Sequence, residues 1–289
     1  MNAIDAVSRW QEIGPKLDEN LFLRAVPQAT TDDSESMPSI TIQVQFISLF
    51  LGNHSQLLAE MEKSFPELGL QAEDCTEMNW LESALFMNGM SGQGVEALLD
   101  RTPMFNLSFK AKSDFVTKPI AEAEWEKIWR ALGDLKAKNN AGLLMIMEPL
   151  GGRMSEISES AIPFPHRKGN LYNIQYYIIW AGADEEENQR QLDSMREFYR
   201  FMTPYVSSNP RTAYYGYKDI DLGGTYGVFP SYSIAREWGE KYFKGNFERL
   251  ATVKRSVDPM NFFRNEQSIP PLFCLNSSSF EEQMPLSKS

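Results

Sequence analysis

Side chains able to do chemistry are few in this 289-residue chain, and their spacing excludes most of what they could do. Two histidines, His54 and His166, and two cysteines, Cys75 and Cys274, are its whole stock of imidazole and thiol. A Ser-His-Asp triad or a histidine-based metal cage would have to use one of two histidines that lie far apart, and the cysteines form no CxxC pair, so neither hydrolytic nor zinc chemistry is indicated. His166, in Pro163-Phe-Pro-His-Arg, reads as the residue that fixes a turn, and Cys75 reads as a buried thiol. Gly151-Gly152 and Gly223-Gly224 match neither GxGxxG nor a Walker loop and read as turns. Tyrosine and amide side chains are left. On pattern alone Tyr214 and Tyr217 are strand aromatics and Gln175 is a polar residue on the wet face of a strand.

Composition narrows the classes further. Twenty-eight Lys and Arg against 39 Asp and Glu give a net charge of −11 with no long basic run, which argues against nucleic-acid binding. Apolar residues make up 42% of the chain, enough for a large core, so global disorder is excluded. The longest apolar runs, such as Phe46 to Leu51, fall far short of the roughly 20 residues of a membrane span. The first ten residues carry an Asp and an Arg where a signal peptide would be apolar, so the chain as written is expected in the cytoplasm. Three sequons, Asn53-His-Ser, Asn106-Leu-Ser and Asn276-Ser-Ser, point weakly the other way, towards a glycoprotein.

The elements that must position these residues follow from periodicity. Ile4, Val7, Trp10 and Ile13 predict a helix ending before Pro15, and Leu21–Val26 reads as a strand. Ile40, Ile42, Val44 and Phe46 alternate with Thr41, Gln43 and Gln45, a two-faced strand that favours antiparallel pairing. Ser55 is placed as the cap of a helix ended by Pro66, a second helix is expected over 74–88, and Pro119 is expected to open a third. Leu143–Met147 and Leu171–Trp180 read as strands, the latter with Tyr172, Ile174, Tyr176 and Ile178 on one face and Asn173, Gln175, Tyr177 and Ile179 on the other. Further on come a helix over 184–202 with Glu185–Glu187 in its first turn, a strand over Thr212–Tyr217, and helices over 235–243 and 247–257. Trp80, Trp125, Trp129 and Trp238 are assigned to core packing, and the Ser-rich tail 274–289 is read as disordered. Strands separated by helices, with one-sided polarity, predict an α+β fold: an antiparallel sheet flanked by helices.

Several segments are too particular for propensity alone. Asp74-Cys-Thr-Glu-Met-Asn-Trp-Leu-Glu-Ser83, Lys112-Ser-Asp-Phe-Val-Thr-Lys-Pro119, Pro163-Phe-Pro-His-Arg-Lys-Gly-Asn-Leu-Tyr172, Ala235-Arg-Glu-Trp-Gly-Glu-Lys-Tyr-Phe243 and the run from Val257 to Leu272 resemble, in family order, the plant berberine bridge enzyme-like FAD-linked oxidoreductases. The resemblance implies the substrate domain of a vanillyl-alcohol oxidase-type flavoprotein over residues 1–225, a C-terminal segment over 226–273 that packs beside the flavin domain, and the tail 274–289. It further implies that the flavin-binding domain, with the His and Cys that attach FAD in most members, lies outside this chain. The resemblance implies that the family's secretion signal is likewise expected outside this chain, the full-length family being secreted or in the cell wall.

The resemblance also assigns residues. Tyr217 matches the family's tyrosine base, which takes a hydroxyl proton while a hydride leaves carbon for FAD, and whose pKa must fall with help from a cation or a second tyrosine. Gln175 matches a position that carries Gln or Glu; as Gln it can only orient a hydroxyl by hydrogen bonds, which favours oxidation of a sugar or monolignol alcohol over ring closure on an alkaloid. Tyr214, Asn261 and Asn265 match positions near the flavin, and Gly216 stands where Asn is frequent. The expected activity is that of a truncated FAD-linked oxidoreductase acting on a small-molecule alcohol with oxygen as acceptor. The alternative is a catalytically inactive remnant or a binding module without flavin.

Overall fold

The computed structural model describes residues 2–32, 39–102, 107–139, 142–182, 184–228 and 230–273. The predicted disorder of 274–289, Cys274 and the sequon residues Asn106 and Asn276 fall outside them. The chain divides into two compact units, Met1–Lys218 and Asp219–Ser289.

The first unit is built on five strands, β1 (Leu21–Asp32), β2 (Ser39–Phe50), β3 (Ser108–Val116), β4 (Gly142–Pro149) and β5 (Tyr172–Trp180), in the order β2-β1-β4-β5-β3. Every pairing is antiparallel, so the α+β sheet is the one that the alternating strands predict. Its helices are α1 (Ala3–Ile13), α2 (His54–Ser64), α3 (Trp80–Met87), α4 (Glu122–Asn139), α5 (Gly152–Glu156) and α6 (Glu185–Phe201). Val7 and Trp10 of α1, Trp125, Ile128 and Leu132 of α4, and Met195 and Phe198 of α6 share one core cluster with Leu23, Ala25, Met145, Met147, Ile174, Tyr176 and Ile178 from the sheet. The opposite sheet face carries the alternate residues, including Gln175, Leu144 and Ile146, all only partly buried.

Two buried polar knots lock this packing. Gln11 of α1 donates from Nε2 to the carbonyl of Ile120 at 2.7 Å, while its Oε1 accepts from the Ile120 N–H at 2.9 Å and from the Tyr172 hydroxyl at 3.2 Å. Ile120 thus has both backbone groups bound to a side chain, and helix α4 begins at Glu122 and not at Pro119. The second knot joins Asp114 on β3 to Arg211, whose guanidinium lies 3.5 Å from the centroid of the Tyr199 ring.

Further expectations are corrected. Residues 212–217 form a turn, not a strand: Thr212 N–H donates to Ser207 Oγ, Tyr214 N–H to Ser113 Oγ and Tyr217 N–H to the Tyr214 carbonyl, so side chains and a local turn take the bonds of a ladder. The fifth strand is β3, hidden in the sequence because its inward residues include Lys112 and Asp114. The helix expected over 74–88 is only α3, begun by the capping box of Asn79 and Glu82, and Trp80 in its first turn is 74% exposed and outside the core. Asn53, boxed with Gln56, caps α2 in place of Ser55.

The second unit contains α7 (Tyr232–Phe243) and α8 (Asn246–Val257). Trp238 and Phe247 meet edge to face at 5.7 Å, and a Cβ on Gly239 would stand 2.2 Å from the Phe247 ring, so glycine is required where the two helices close. Gln267 pins the following segment by donating to the carbonyls of Asp219 and Gly223.

Candidate active site

The open face of the sheet gathers the first unit's candidate residues. Register places Ile146 on β4 and Ser113 on β3 beside Gln175 on β5, and Glu148 beside Asn173 one step along. On the other side of β4, Ala25 faces Met147 and Gln28 faces Leu144, which sets Arg24 opposite Glu148. Arg24, Glu148, Asn173 and Gln175 therefore share one face over three neighbouring strands.

The turn at 214–217 brings two tyrosines to this face. Tyr217 donates from its hydroxyl to Glu148 Oε2 at 3.1 Å, and its ring meets that of Tyr214 edge to face at 5.0 Å. Tyr214 is held from behind by Phe164, 5.7 Å away, and by the bond from its N–H to Ser113. Gly216 makes this possible: a Cβ there would stand 2.6 Å from the Tyr214 ring, in the space that the ring fills. Any larger side chain at this position would force the Tyr214 ring aside.

The electrostatics run against a resting phenolate. Burial pushes the Tyr217 hydroxyl well above its ordinary pKa, the Glu148 charge and hydrogen bond push it further, and Arg24 opposes them only in part. At neutral pH the phenol keeps its proton. Two polar atoms on the same face, Asn173 Oδ1 and Arg24 Nε, are buried without a hydrogen-bond partner among the described residues. Such atoms are costly unless something else satisfies them, so the face fits a polar ligand laid over it.

In the second unit Asn261 and Asn265 serve the local fold. Asn261, at a φ of 51°, donates from Nδ2 to the Val228 carbonyl at 2.7 Å, while its buried Oδ1 is unpartnered among the described residues. Asn265 is exposed and accepts the Gln267 N–H on its Oδ1 at 2.9 Å. His166, fully buried, stacks on Phe115 at 3.8 Å as part of the turn and away from solvent. Cys75 is half-buried, with its thiol pushed up by burial.

Glu148 and Arg24 carry no assignment from the sequence. The signal for both was there: each is a single charge inside a run of apolar residues, Leu21–Val26 and Leu143–Glu148, where a charge needs a partner or a ligand.

The antiparallel sheet with one helix-packed face and one polar open face belongs to the substrate domain of the vanillyl-alcohol oxidase-type flavoproteins. Residues 213–270 match the family model described as "Berberine and berberine like". The chain is 49% identical over 268 residues to berberine bridge enzyme-like 22 of Arabidopsis thaliana, covering 92% of itself and 49% of that protein. It is 45% identical over 275 residues to tetrahydroberberine oxidase of Argemone mexicana, covering 93% of itself and 48% of that enzyme. Among solved structures, Phl p 4, a grass pollen allergen with glucose dehydrogenase activity, superposes with a TM-score of 0.80 at 39% identity over 94% of this chain and 52% of its own. The chain belongs to the berberine bridge enzyme-like family of FAD-linked oxidoreductases, and it spans about half the length of the curated relatives it matches.

Proposed function

We propose that this chain supplies the substrate-side surface of an FAD-linked oxidoreductase that oxidises a small-molecule alcohol of sugar or monolignol type. The observation that carries the reading is the cluster of Tyr217, Tyr214 and Glu148 on the sheet face that also bears Gln175 and the orphaned Asn173 oxygen. A hydroxyl laid on this face can accept from the Gln175 amide and donate to the Tyr217 oxygen, whose own proton is bound to the Glu148 carboxyl, while a second substrate hydroxyl donates to Asn173 Oδ1. Gln175 orients and cannot take a proton. The flavin, when bound, supplies the acceptor for the hydride. Polypeptide beyond the matched span holds most of that flavin, and Tyr214, Asn261 and Asn265 are the contacts proposed from this chain.

A second reading has its own support. The phenol of Tyr217 is held protonated, so the same face could bind a hydroxylic ligand and leave it unchanged. Both readings are tested on one sample incubated with FAD and a panel of glucose-type sugars, a monolignol and tetrahydroberberine. Oxygen uptake and peroxide with a sugar or monolignol support the oxidase. Binding without turnover leaves the binding module, and turnover of tetrahydroberberine alone overturns the proposed substrate class.

A further inference from the structure

A tyrosine that keeps its proton at rest cannot by itself take another from a substrate. The group that can is a carboxyl already bonded to it: Glu148 accepts the Tyr217 hydroxyl at 3.1 Å, on a strand whose neighbour sets Arg24 opposite. We propose that Glu148 is the final acceptor of the substrate's hydroxyl proton, with Tyr217 as the relay. This rests on the alcohol-oxidation reading. In the step, the substrate O–H bond breaks and a new O–H bond forms on Tyr217, while the old Tyr217 O–H bond breaks and one forms on Glu148 Oε2. Two protons each move one step, for a net transfer of one proton from the substrate to Glu148, and the electron pair of the broken substrate O–H bond would become the second bond of the carbonyl, with FAD, when bound, supplying the hydride acceptor. The hydroxyl grows acidic as that hydride departs, so a positioned carboxylate is base enough to receive its proton through the phenol.

The groups facing this pair from each side are consistent with the role. Arg24 on β1 stands opposite Glu148 in register, Tyr214 closes the edge of Tyr217, and Asn173 on β5 brings no charge of its own. The phenol is raised chiefly by burial and next by Glu148, so removal of the carboxylate must lower it.

The test has two readouts. Protein labelled with carbon-13 at the tyrosine Cζ is titrated upward from pH 7 until the Tyr217 resonance has passed its midpoint, with that resonance assigned by its loss in Y217F. In E148Q, and in E148A as a second neutral variant should one fail to fold, the Tyr217 midpoint is expected at least one unit lower, a tenfold change in ionisation constant. An equal or higher midpoint overturns the pairing. In flavin-loaded protein, the acid limb of kcat for an oxidised alcohol is expected to move to higher pH in E148Q and to return in E148D. Turnover with an unmoved limb in E148Q overturns the role of Glu148 and leaves the oxidase reading standing. Loaded parent protein that turns over no alcohol overturns the oxidase reading, and the relay with it.

Discussion

Arg211 holds Asp114 through two nitrogens, Nε on Oδ1 at 2.6 Å and Nη2 on Oδ2 at 2.5 Å, although the two residues are 97 positions apart. The same guanidinium bonds to Thr203 and to the Tyr199 carbonyl. Because Tyr214 follows three residues later and is tied to Ser113, next to Asp114, this ion pair sets where the tyrosine turn meets the sheet.

Arg211→Met should therefore cost about 3–5 kcal/mol, since it strands a buried carboxylate. Urea unfolding of the variant against the parent checks this. A loss below about 1 kcal/mol would show that the pair does not anchor the turn.

The same pair predicts a pH dependence. Burial drives the Asp114 carboxyl up from an ordinary 3.8 to about 6, more than the Arg211 charge pulls it down. Between pH 4 and 6 the folded protein thus holds a proton that the unfolded chain has released. The contribution of this group to stability is complete below pH 4 and is lost as pH rises through 6. Unfolding free energies at pH 4, 5, 6 and 7 should fall more steeply in the parent than in D114N, and parallel curves would contradict the raised value.

Gly151 adopts a φ of 141°, and a Cβ there would stand 2.1 Å from the Pro15 carbonyl oxygen. Gly151→Ala is expected to lose roughly 1–3 kcal/mol from this strain, whereas Gly152→Ala, with open space around its Cβ, should lose less. Thermal melts of the two variants separate the effect of close approach from that of positive φ.

Gln11→Ala leaves the Ile120 N–H and carbonyl and the Tyr172 hydroxyl without their partner, each in the core. A loss of about 1–3 kcal/mol is expected from the unmade bonds. Hydrogen exchange at the Ile120 amide should rise in step with it, and an unchanged exchange rate would count against the knot.

Tyr217→Phe removes the hydroxyl that meets Glu148 and keeps the ring against Tyr214. In flavin-loaded protein, turnover of an accepted alcohol should fall by about 10²- to 10⁴-fold, the usual worth of a positioned proton-transfer group. Stability should change little, and equal turnover would remove Tyr217 from the proton path.

Local pattern in the sequence determined a good part of this protein. The alternation in β5 separates Tyr172, Ile174, Tyr176 and Ile178 from Asn173 and Gln175 in the order found, because a strand sends successive side chains to opposite faces. The periodicities of α1, α6, α7 and α8 likewise mark helices within a few residues of their ends. Tertiary structure alone decided the rest. Lys112 and Asp114 make β3 look like a surface segment until Tyr199 and Arg211 arrive from far along the chain to lie against them. The segment 212–217 reads as a strand until Ser207 and Ser113 take the N–H groups of Thr212 and Tyr214. Tyr217 reads as an ordinary aromatic until folding carries Glu148, 69 residues away, to within 3.1 Å of its hydroxyl. Periodicity records only which way a side chain faces, while its charge state and its partner depend on what the rest of the chain brings to that face.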